Sequence, residues 1–340
     1  MKLDSARELK QQLARQLTVR EPAKVRAFSL ARSAMSVGQA SAGVVATFAL
    51  GVSHVDGDEK NFRIAVRIQR RSLESSALLD QIRDAAKGEV DVRYVGAIRK
   101  RQLPWQQQLT RPLAIGCSVS HFAVTVGTLG CFVRLQSQPG GSLFILSNNH
   151  VLADENRATA GDAILQPGTF DGGQIPGDAV ARLTGFVRLE RSTPNFIDGA
   201  IAEVMAGINS DTSTLRGALG LLTGINTAFL EKGATVAKIG RTTALTQGKV
   251  TAVEMDNVVV DYDPPLRALQ FNNQIEIEGI GNSGFSDGGD SGSLIWSDPG
   301  REAIGLLFSG SDQGGANGKG LTYANPIQRV FDDLKVELAI

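Results

Sequence analysis

The chain has few residues of the kinds that stabilise small secreted proteins or anchor membrane proteins. Its 340 residues include two cysteines, Cys117 and Cys131, which are too few for a disulfide scaffold. The N-terminal stretch MKLDSARELKQQLARQL is charged throughout, unlike a secretory signal, and the apolar-leaning stretch 40–55 is too short to span a bilayer. We therefore expect a cytoplasmic protein without membrane contact, in which both thiols are reduced and buried.

Histidine is also scarce, with three residues in the chain, His54, His121 and His150. A zinc site built from Cys117, His121 and Cys131 would match no common ligand spacing, and no fourth ligand is evident. We therefore expect no metal and no cofactor.

The formal net charge is zero, but the two parts of the chain differ in sign. Residues 1–105 carry 19 basic and 11 acidic residues, which leaves 16 basic and 24 acidic residues in 106–340 out of totals of 35 and 35. We favour attraction between the two parts, or between identical copies in a homo-oligomer. The alternative is an N-terminal region that contacts nucleic acid or a membrane surface. No RNA-binding signature or aromatic platform accompanies the basic residues.

Residues 1–105 are predicted to form an N-terminal helix plus a small α/β domain with a regulatory or oligomerisation role. A leucine every fourth residue predicts an amphipathic helix over 2–17. Strands are predicted at 44–52, 62–69 and 90–98, a helix capped by Ser72 or Ser75 lies between the last two, and the basic run 99–105 is predicted to be a linker.

Residues 106–340 consist of short apolar segments separated by Gly, Asn, Asp and Pro. This pattern predicts antiparallel sandwiches or barrels. A long segment, GKVTAVEMDNVVVDY (248–262), is included among the strands, and a helix is expected only in the final stretch, 326–340.

The segment GFSDGGDSGSLIW (284–296) places an Asp-Ser pair among glycines, directly before an apolar strand. Glycine permits backbone angles that turn N–H groups inward, which suits a phosphate or an oxyanion formed in a reaction. Gly279, Gly281 and Gly284 match the G-x-G-x-x-G phosphate fingerprint, but that fingerprint needs a helix next. Because the loop runs into a strand, we favour the oxyanion interpretation.

In that interpretation Ser291 is the nucleophile and needs a general base. His150 ends an apolar strand at a Ser-Asn-Asn turn, whereas His54 lies in a polar turn and His121 suits a surface or core role. Asp198 lies inside the apolar run PNFIDGAIAEV, where a carboxylate needs a partner, and it could orient a histidine. Singly, His150 also fits a loop residue without a role and Asp198 a turn residue, but together with Ser291 they indicate an active site.

The blocks LSNNHVL, IDGAIAEV and GDSGSLI, in the order His, Asp, Ser, resemble the catalytic blocks of the chymotrypsin-like (trypsin-fold) serine proteases. IGRTTALTQGKV (239–250) is similar to the Gly-Arg-Thr-Thr segment of the bacterial branch. The head from GTLGCFV to GDAILQPGTFDGG resembles a narrower bacterial set and the plant narrow-leaf trypsin-like proteins, which carry a small N-terminal unit. The resemblance covers roughly residues 111–332. It implies a mostly β fold, a double antiparallel β-barrel preceded by the small α/β domain.

The resemblance also implies roles for individual residues. Ser291 would attack a peptide carbonyl, His150 would take and return its proton, and Asp198 would orient His150. The backbone N–H groups of Gly289 and Ser291 would form the oxyanion hole.

A structural ion pair is expected beneath this loop. The Asp290 side chain would turn inward, and by similarity to bacterial relatives we predict that Arg241 supplies its cation.

The resemblance places the substrate pocket at Phe285, six residues before the nucleophile, and along the strand LLFSG with Ser309 and Gly310. The acid that would select Lys or Arg is missing at Phe285, although Asp287 lies nearby. No histidine follows His150, which argues against glutamate selectivity. By elimination, a small or medium apolar side chain is expected, and the segment 309–311 could pair edge-on with an extended substrate.

The leading hypothesis is a serine endopeptidase that acts on proteins or peptides. The alternative is a protease-fold binding or assembly protein with weak, latent or partner-gated cleavage, motivated by the N-terminal unit and its leucine-striped helix. A third hypothesis makes the basic N-terminal region a nucleic-acid or effector sensor that controls the protease.

Overall fold

The computed structural model describes residues 1–18, 48–55, 58–69, 71–96, 103–218 and 220–340. The chain divides into two compact units, Met1–Arg101 and Gln102–Ile340. Of the sequence predictions, the first four residues of the 44–52 strand and most of the 99–105 linker lie outside the described residues.

The helices that the structure describes are α1 (Leu3–Thr18), α2 (Ala77–Ala85), α3 (Asn149–Leu152) and α4 (Ile327–Leu334). The strands of the first unit are β1 (Ala49–Val55), β2 (Asp58–Ile68) and β3 (Val90–Tyr94). The strands of the second unit are β4 (Leu113–Ala114), β5 (Ser118–His121), β6 (Gly127–Thr128), β7 (Cys131–Leu135), β8 (Phe144–Ser147), β9 (Ala163–Leu165), β10 (Ala179–Phe186), β11 (Ala200–Val204), β12 (Ser210–Asp211), β13 (Gly224–Ile225), β14 (Thr235–Gly240), β15 (Ala244–Met255), β16 (Val258–Asp261), β17 (Ala268–Phe271), β18 (Gln274–Gly279), β19 (Leu294–Ser297), β20 (Glu302–Gly310), β21 (Leu321–Pro326) and β22 (Val336–Leu338). Within the described ranges, no helix is both long and apolar enough to cross a bilayer.

The first unit is a three-stranded sheet in the order β1-β2-β3. Strand β2 pairs antiparallel with β1 and parallel with β3, and α2 lies in the crossover that a parallel connection requires. Alternate residues of β2, Ile64, Val66 and Ile68, are fully buried in one core with Leu13 of α1 and Leu79 of α2.

The predicted cap of the second helix is wrong. The cap of α2 is Ser76, whose hydroxyl accepts the Leu79 N–H at 3.3 Å, and not Ser72 or Ser75, because a 3-10 turn at Arg71–Leu73 precedes the helix. Two leucines of the α1 stripe face its own unit, since Leu13 is buried in that core and Leu9 packs against it. These two leucines are covered without a partner protein, and oligomerisation stays a prediction.

The second unit confirms the predicted mostly β class with two barrel-type antiparallel sheets. One sheet has the strand order β22-β7-β8-β11-β10-β9-β5-β6. In the other, β20-β19-β14-β15-β18-β21 closes into a six-stranded barrel because β20 also pairs with β21. Buried residues of both sheets share one hydrophobic core, while a second cluster fills the closed barrel.

Two segments of this unit differ from the sequence prediction. The segment 248–262 is not one strand: it turns at residues 256–257 and becomes β16, which pairs with β17 in a separate two-stranded ribbon. We call residues 258–271 the ribbon. The final stretch is not helical throughout, because Lys335 adopts a left-handed conformation (φ +56°) that ends α4, and β22 then pairs with β7.

Candidate active site

The ends of two neighbouring strands bring His150 and Asp198 together. Ser147, the last residue of β8, pairs with Ala200, the first residue of β11. His150 lies three residues after Ser147 on the short helix α3, and Asp198 lies two residues before Ala200. Residues 48 positions apart in sequence therefore meet at one end of the sheet.

The His150 ring is joined to the Asp198 carboxylate. Nδ1 of His150 lies 2.5 Å from Oδ2 of Asp198, and the backbone N–H of His150 donates to Oδ1 at 3.3 Å. The Asp198 side chain is fully buried, whereas 21% of the His150 side chain is exposed. This arrangement holds Nδ1 against the acid, so that Nε2 is the free nitrogen of the ring.

The pairing favours the positively charged form of His150 and the negatively charged form of Asp198. Burial by itself lowers the pKa of His150, but the charge of Asp198 and the hydrogen bond to it outweigh burial, so that the pKa of His150 is raised. Burial would raise the pKa of Asp198, yet the positive charge of His150 and hydrogen bonds from His150 and Tyr262 lower the pKa of Asp198 overall. Asp198 is therefore a carboxylate at neutral pH.

Three residues that the sequence analysis did not identify hold Asp198. The Tyr262 hydroxyl donates to Oδ2 at 2.7 Å. The Asp198 N–H donates to Oδ1 of Asn325 at 3.0 Å, and Nδ2 of Asn148 donates to the Asp198 carbonyl at 2.7 Å. Asn148 is part of the quoted SNNHVL block, but Tyr262 and Asn325 lie 64 and 127 residues from Asp198, and no local pattern marks them.

The Ser291 loop depends on a glycine with a left-handed backbone. Gly292 has φ +89°, and a Cβ there would lie 2.0 Å from Oγ of Ser147. The Ser291 carbonyl accepts the Thr128 N–H at 2.8 Å, which fixes the loop on the sheet that carries His150. The nucleophile predicted from sequence is thus placed beside the strand end that leads to the predicted base.

The predicted oxyanion donors have no hydrogen-bond acceptor among the described residues. In the part of the chain that the structure describes, the N–H groups of Gly289 and Ser291 make no hydrogen bond. Gly289 has φ +92°, and its carbonyl accepts the Thr128 hydroxyl at 2.9 Å, which fixes the orientation of the adjoining peptide groups.

The hydrogen bond expected between the Ser291 hydroxyl and the His150 ring is absent from the described part of the chain. Across the described ranges, the hydrogen bonds of the His150 ring all go to Asp198, and the Ser291 hydroxyl has no partner. Such contacts are often long in the absence of substrate and tighten only in the complex.

The predicted ion pair between Arg241 and Asp290 is wrong. Nζ of Lys238 lies 3.0 Å from Oδ2 of Asp290, and both side chains are fully buried. The N–H groups of Thr242 and Thr243 donate to Oδ1 of Asp290 at 2.7 and 3.1 Å. The Gly-Arg-Thr-Thr segment therefore contributes its threonines, and the cation comes from three residues before Arg241, on β14.

Arg241 instead pairs with Asp171. Its Nε donates to Oδ2 of Asp171 at 2.8 Å, and its Nη2 bonds Oδ1. The guanidinium also lies 5.1 Å from the ring centre of Phe170. The remaining guanidinium nitrogen, Nη1, donates to the Thr242 hydroxyl at 3.2 Å. Among the described residues, Arg241 therefore pairs with Asp171 and makes no ion pair with Asp290.

The three predicted pocket residues differ in exposure. Phe285 is 2% exposed and packs inside the closed barrel with Val236 and Val250, so its assignment as a pocket-lining residue is wrong in this structure. Ser309 and Gly310 lie at the end of β20, half-buried and exposed respectively.

The alternative zinc residues are engaged elsewhere. Nε2 of His121 lies 3.1 Å from Oδ2 of Asp162, and both cysteines are free and buried in the core. Burial raises the pKa of the Cys117 thiol to about 11, which opposes the thiolate form that a metal would bind. Among the residues that the structure describes, no three His, Cys, Asp or Glu side chains are grouped so that they could hold a metal ion.

No protein-family model matches the chain, and no curated protein matches it. Among solved structures, the chain is similar to Thermobifida fusca protease A, with 17% identity, coverage of 66% of this chain and 98% of that one, and a TM-score of 0.45. It is also similar to a glutamic acid-specific serine protease that uses a histidine triad in substrate binding, with 20% identity, coverage of 67% and 100%, and a TM-score of 0.47. It is similar as well to Nocardiopsis protease, with 18% identity, coverage of 67% of this chain and 99% of that one, and a TM-score of 0.45. At these identities the similarity is one of fold and assigns no activity to this chain.

Proposed function

We propose that the chain is a serine endopeptidase that hydrolyses peptide bonds through an acyl-enzyme intermediate. The observation that carries the proposal is the 2.5 Å pairing of His150 with the fully buried carboxylate of Asp198. It is supported by the neighbouring loop, in which Gly289 and Ser291 offer N–H groups without acceptors among the described residues.

In the proposed reaction, Oγ of Ser291 attacks the peptide carbonyl carbon while Nε2 of His150 accepts the hydroxyl proton. The carbonyl oxygen becomes an oxyanion and accepts hydrogen bonds from Gly289 and Ser291, each such donor being worth about 2.7–4 kcal/mol of barrier. His150 then gives its proton to the leaving amine as the C–N bond breaks. Water, activated by His150, hydrolyses the ester, while Asp198 stays ionised and stabilises the imidazolium.

The substrate we propose is an extended peptide. At Ser309 and Gly310, β20 pairs with β21 on one side, whereas the residue pairing with β19 on the other side ends at Leu306. The β19-facing side of Ser309–Gly310 therefore has no strand partner in the described chain and could accept a peptide strand. The preference for a small or medium apolar side chain stays a prediction.

The test is labelling with a fluorophosphonate probe, combined with hydrolysis of a peptide library. We expect the native protein to be labelled and to cleave peptides. Ser291→Ala should abolish labelling and lower kcat by a factor on the order of 10⁶, whereas Ser283→Ala, an exposed serine just before the loop, should behave as the native protein does. A native protein that is neither labelled nor active, at any concentration or with peptide present, would rule out the enzyme.

A second candidate function is a protease-fold binding or assembly protein whose cleavage is latent or gated by a partner. It is favoured by the missing hydrogen bond between the Ser291 hydroxyl and the His150 ring among the described residues. In this case labelling should appear only when a peptide or partner is added.

Three further proposals come from the sequence. They are the domain boundaries (1–105 and 106–340), a cytoplasmic location and oligomerisation through the N-terminal unit.

A further inference from the structure

Tyr262 contacts the proposed active site from outside the strands that carry the catalytic residues. It follows β16 directly, on the ribbon, and its hydroxyl lies 2.7 Å from Oδ2 of Asp198. The same oxygen faces Nδ1 of His150 at 2.5 Å. Because the Asp198 side chain is fully buried, this oxygen is surrounded by protein donors and not by solvent.

The Tyr262 ring is held between two other rings, those of Phe271 and His150. It stacks on Phe271 with a centroid separation of 6.0 Å and an angle of 22°, and it meets the His150 ring edge-on at 6.0 Å and 76°. Below it, an apolar cluster fixes the ribbon on the unit. The buried members of that cluster are Leu189, Leu266, Leu269, Phe271 and Phe308.

The ribbon is also bonded to the two chain segments that flank the site. After His150, Oε1 of Glu155 accepts the Asp263 N–H at 3.2 Å. Before Asp198, the Asn195 N–H donates to the Gln270 carbonyl at 2.8 Å. The position of the Tyr262 hydroxyl is therefore tied to the segments that carry the acid and the base.

We propose that Tyr262 is a positioning residue that acts through Asp198, so that docking of the ribbon completes the acid–base pair. The inference rests on the proposed peptidase function. The Tyr262 hydroxyl holds Oδ2 of Asp198 in the direction that receives the Nδ1–H of His150, while the backbone N–H of His150 holds Oδ1 of Asp198. Burial and the nearby charge of Asp198 raise the pKa of Tyr262 well above its usual value, so the hydroxyl is a neutral donor throughout the working pH range.

Removing the hydroxyl changes two measurable quantities. The carboxylate loses one of the donors that fix its rotation, which lowers kcat by about 10- to 100-fold, the factor expected for one hydrogen bond to a charged group. The charge of Asp198 is then shared with fewer donors and stabilises the imidazolium more, so the pKa of His150 rises. Among the described residues, the titratable and charged groups that face His150 are Asp198, Glu155 and Tyr262. Glu155 itself pairs with Arg157 at 3.2 Å, and neither of these two is altered by the substitution.

The test compares Tyr262→Phe with Tyr323→Phe. Tyr323 is a matched control because its hydroxyl also donates to a carboxylate, but to Oε2 of Glu276 at 3.1 Å and not to Asp198. We expect Tyr262→Phe to lower kcat with KM changed less than about twofold and to move the acidic limb of the pH profile to higher pH. Tyr323→Phe should match the native enzyme. A native-like Tyr262→Phe variant, an effect on KM alone, or an equal loss in Tyr323→Phe overturns the inference.

A second measurement does not depend on activity. The His150 ring protons are followed by NMR titration, with His150→Ala identifying their resonances, and circular dichroism confirms that each variant is folded. A higher pKa of His150 in Tyr262→Phe supports the inference even if peptidase activity is never found, and an unchanged pKa refutes it. Failure of the proposed function would instead appear as an unlabelled Ser291 in the native protein.

Discussion

Replacing Lys238 by Met tests how the Ser291 loop is held. Lys238 and Asp290 are both fully buried, with Nζ 3.0 Å from Oδ2. Met has a similar length and fills the same apolar path, but it leaves the Asp290 carboxylate buried without a cation. The substitution therefore removes the charge and retains most of the packing.

The magnitude follows from what Asp290 keeps. Removing one partner of a buried ion pair costs about 3–5 kcal/mol. Asp290 retains hydrogen bonds from Thr242, Thr243 and the Asp287 N–H, the last at 3.1 Å. We therefore expect a loss near the lower limit, about 3 kcal/mol in the free energy of unfolding, or roughly 150-fold in the equilibrium constant.

The assay is urea unfolding of the purified full chain. Lys249→Met, at an exposed position on the neighbouring strand β15, is the control and should lose less than about 0.5 kcal/mol. The double variant Lys238→Met/Asp290→Asn should recover most of the loss, because neither charge is then buried alone. A loss below about 1 kcal/mol in Lys238→Met, or no recovery in the double variant, would refute the role assigned to this pair.

Two further predictions concern the site itself. Because the pKa of His150 is raised above 6.5 and a general base must be neutral, kcat/KM should increase with pH through a midpoint above 6.5; a pH profile with a midpoint at or below that value would contradict the pairing with Asp198. Gly292→Ala should cost more than about 3 kcal/mol of stability and abolish fluorophosphonate labelling, since the added Cβ would lie 2.0 Å from Oγ of Ser147 at a left-handed φ. Gly288→Ala is the control, because a Cβ there would have no atom within 4 Å, and this variant should retain both stability and labelling. The two variants are compared by thermal unfolding and by labelling.

The chemistry of the candidate site could be predicted because its signals are local. A serine between glycines before an apolar strand, a histidine at a strand end and an aspartate within an apolar run each carry information within a few residues. The strand content of the second unit was predictable for the same reason, since alternation and turn residues act over short distances. The division of 248–262 at residues 256–257 was missed because valine-rich segments continue on both sides of it and the turn between them, Asp-Asn, has no Gly or Pro.

The partners of these residues were decided by tertiary structure. Asp290 needs a cation, but whether Lys238 or Arg241 supplies it depends on which side chain the barrel directs inward, and residues three apart in sequence were not distinguished by pattern. Phe285 occupies a position that resemblance assigned to a pocket, yet the packing of the closed barrel buries it.

What the sequence by itself determined is the set of reactive groups and the β texture that carries them, because residue type and short-range periodicity are properties of the chain. The contact of Tyr262 with Asp198, 64 residues apart, and the exclusion of solvent from that carboxylate exist only after folding. Hydrogen bonds and burial depend on distances in space, and those distances are set by how strands from remote segments pair.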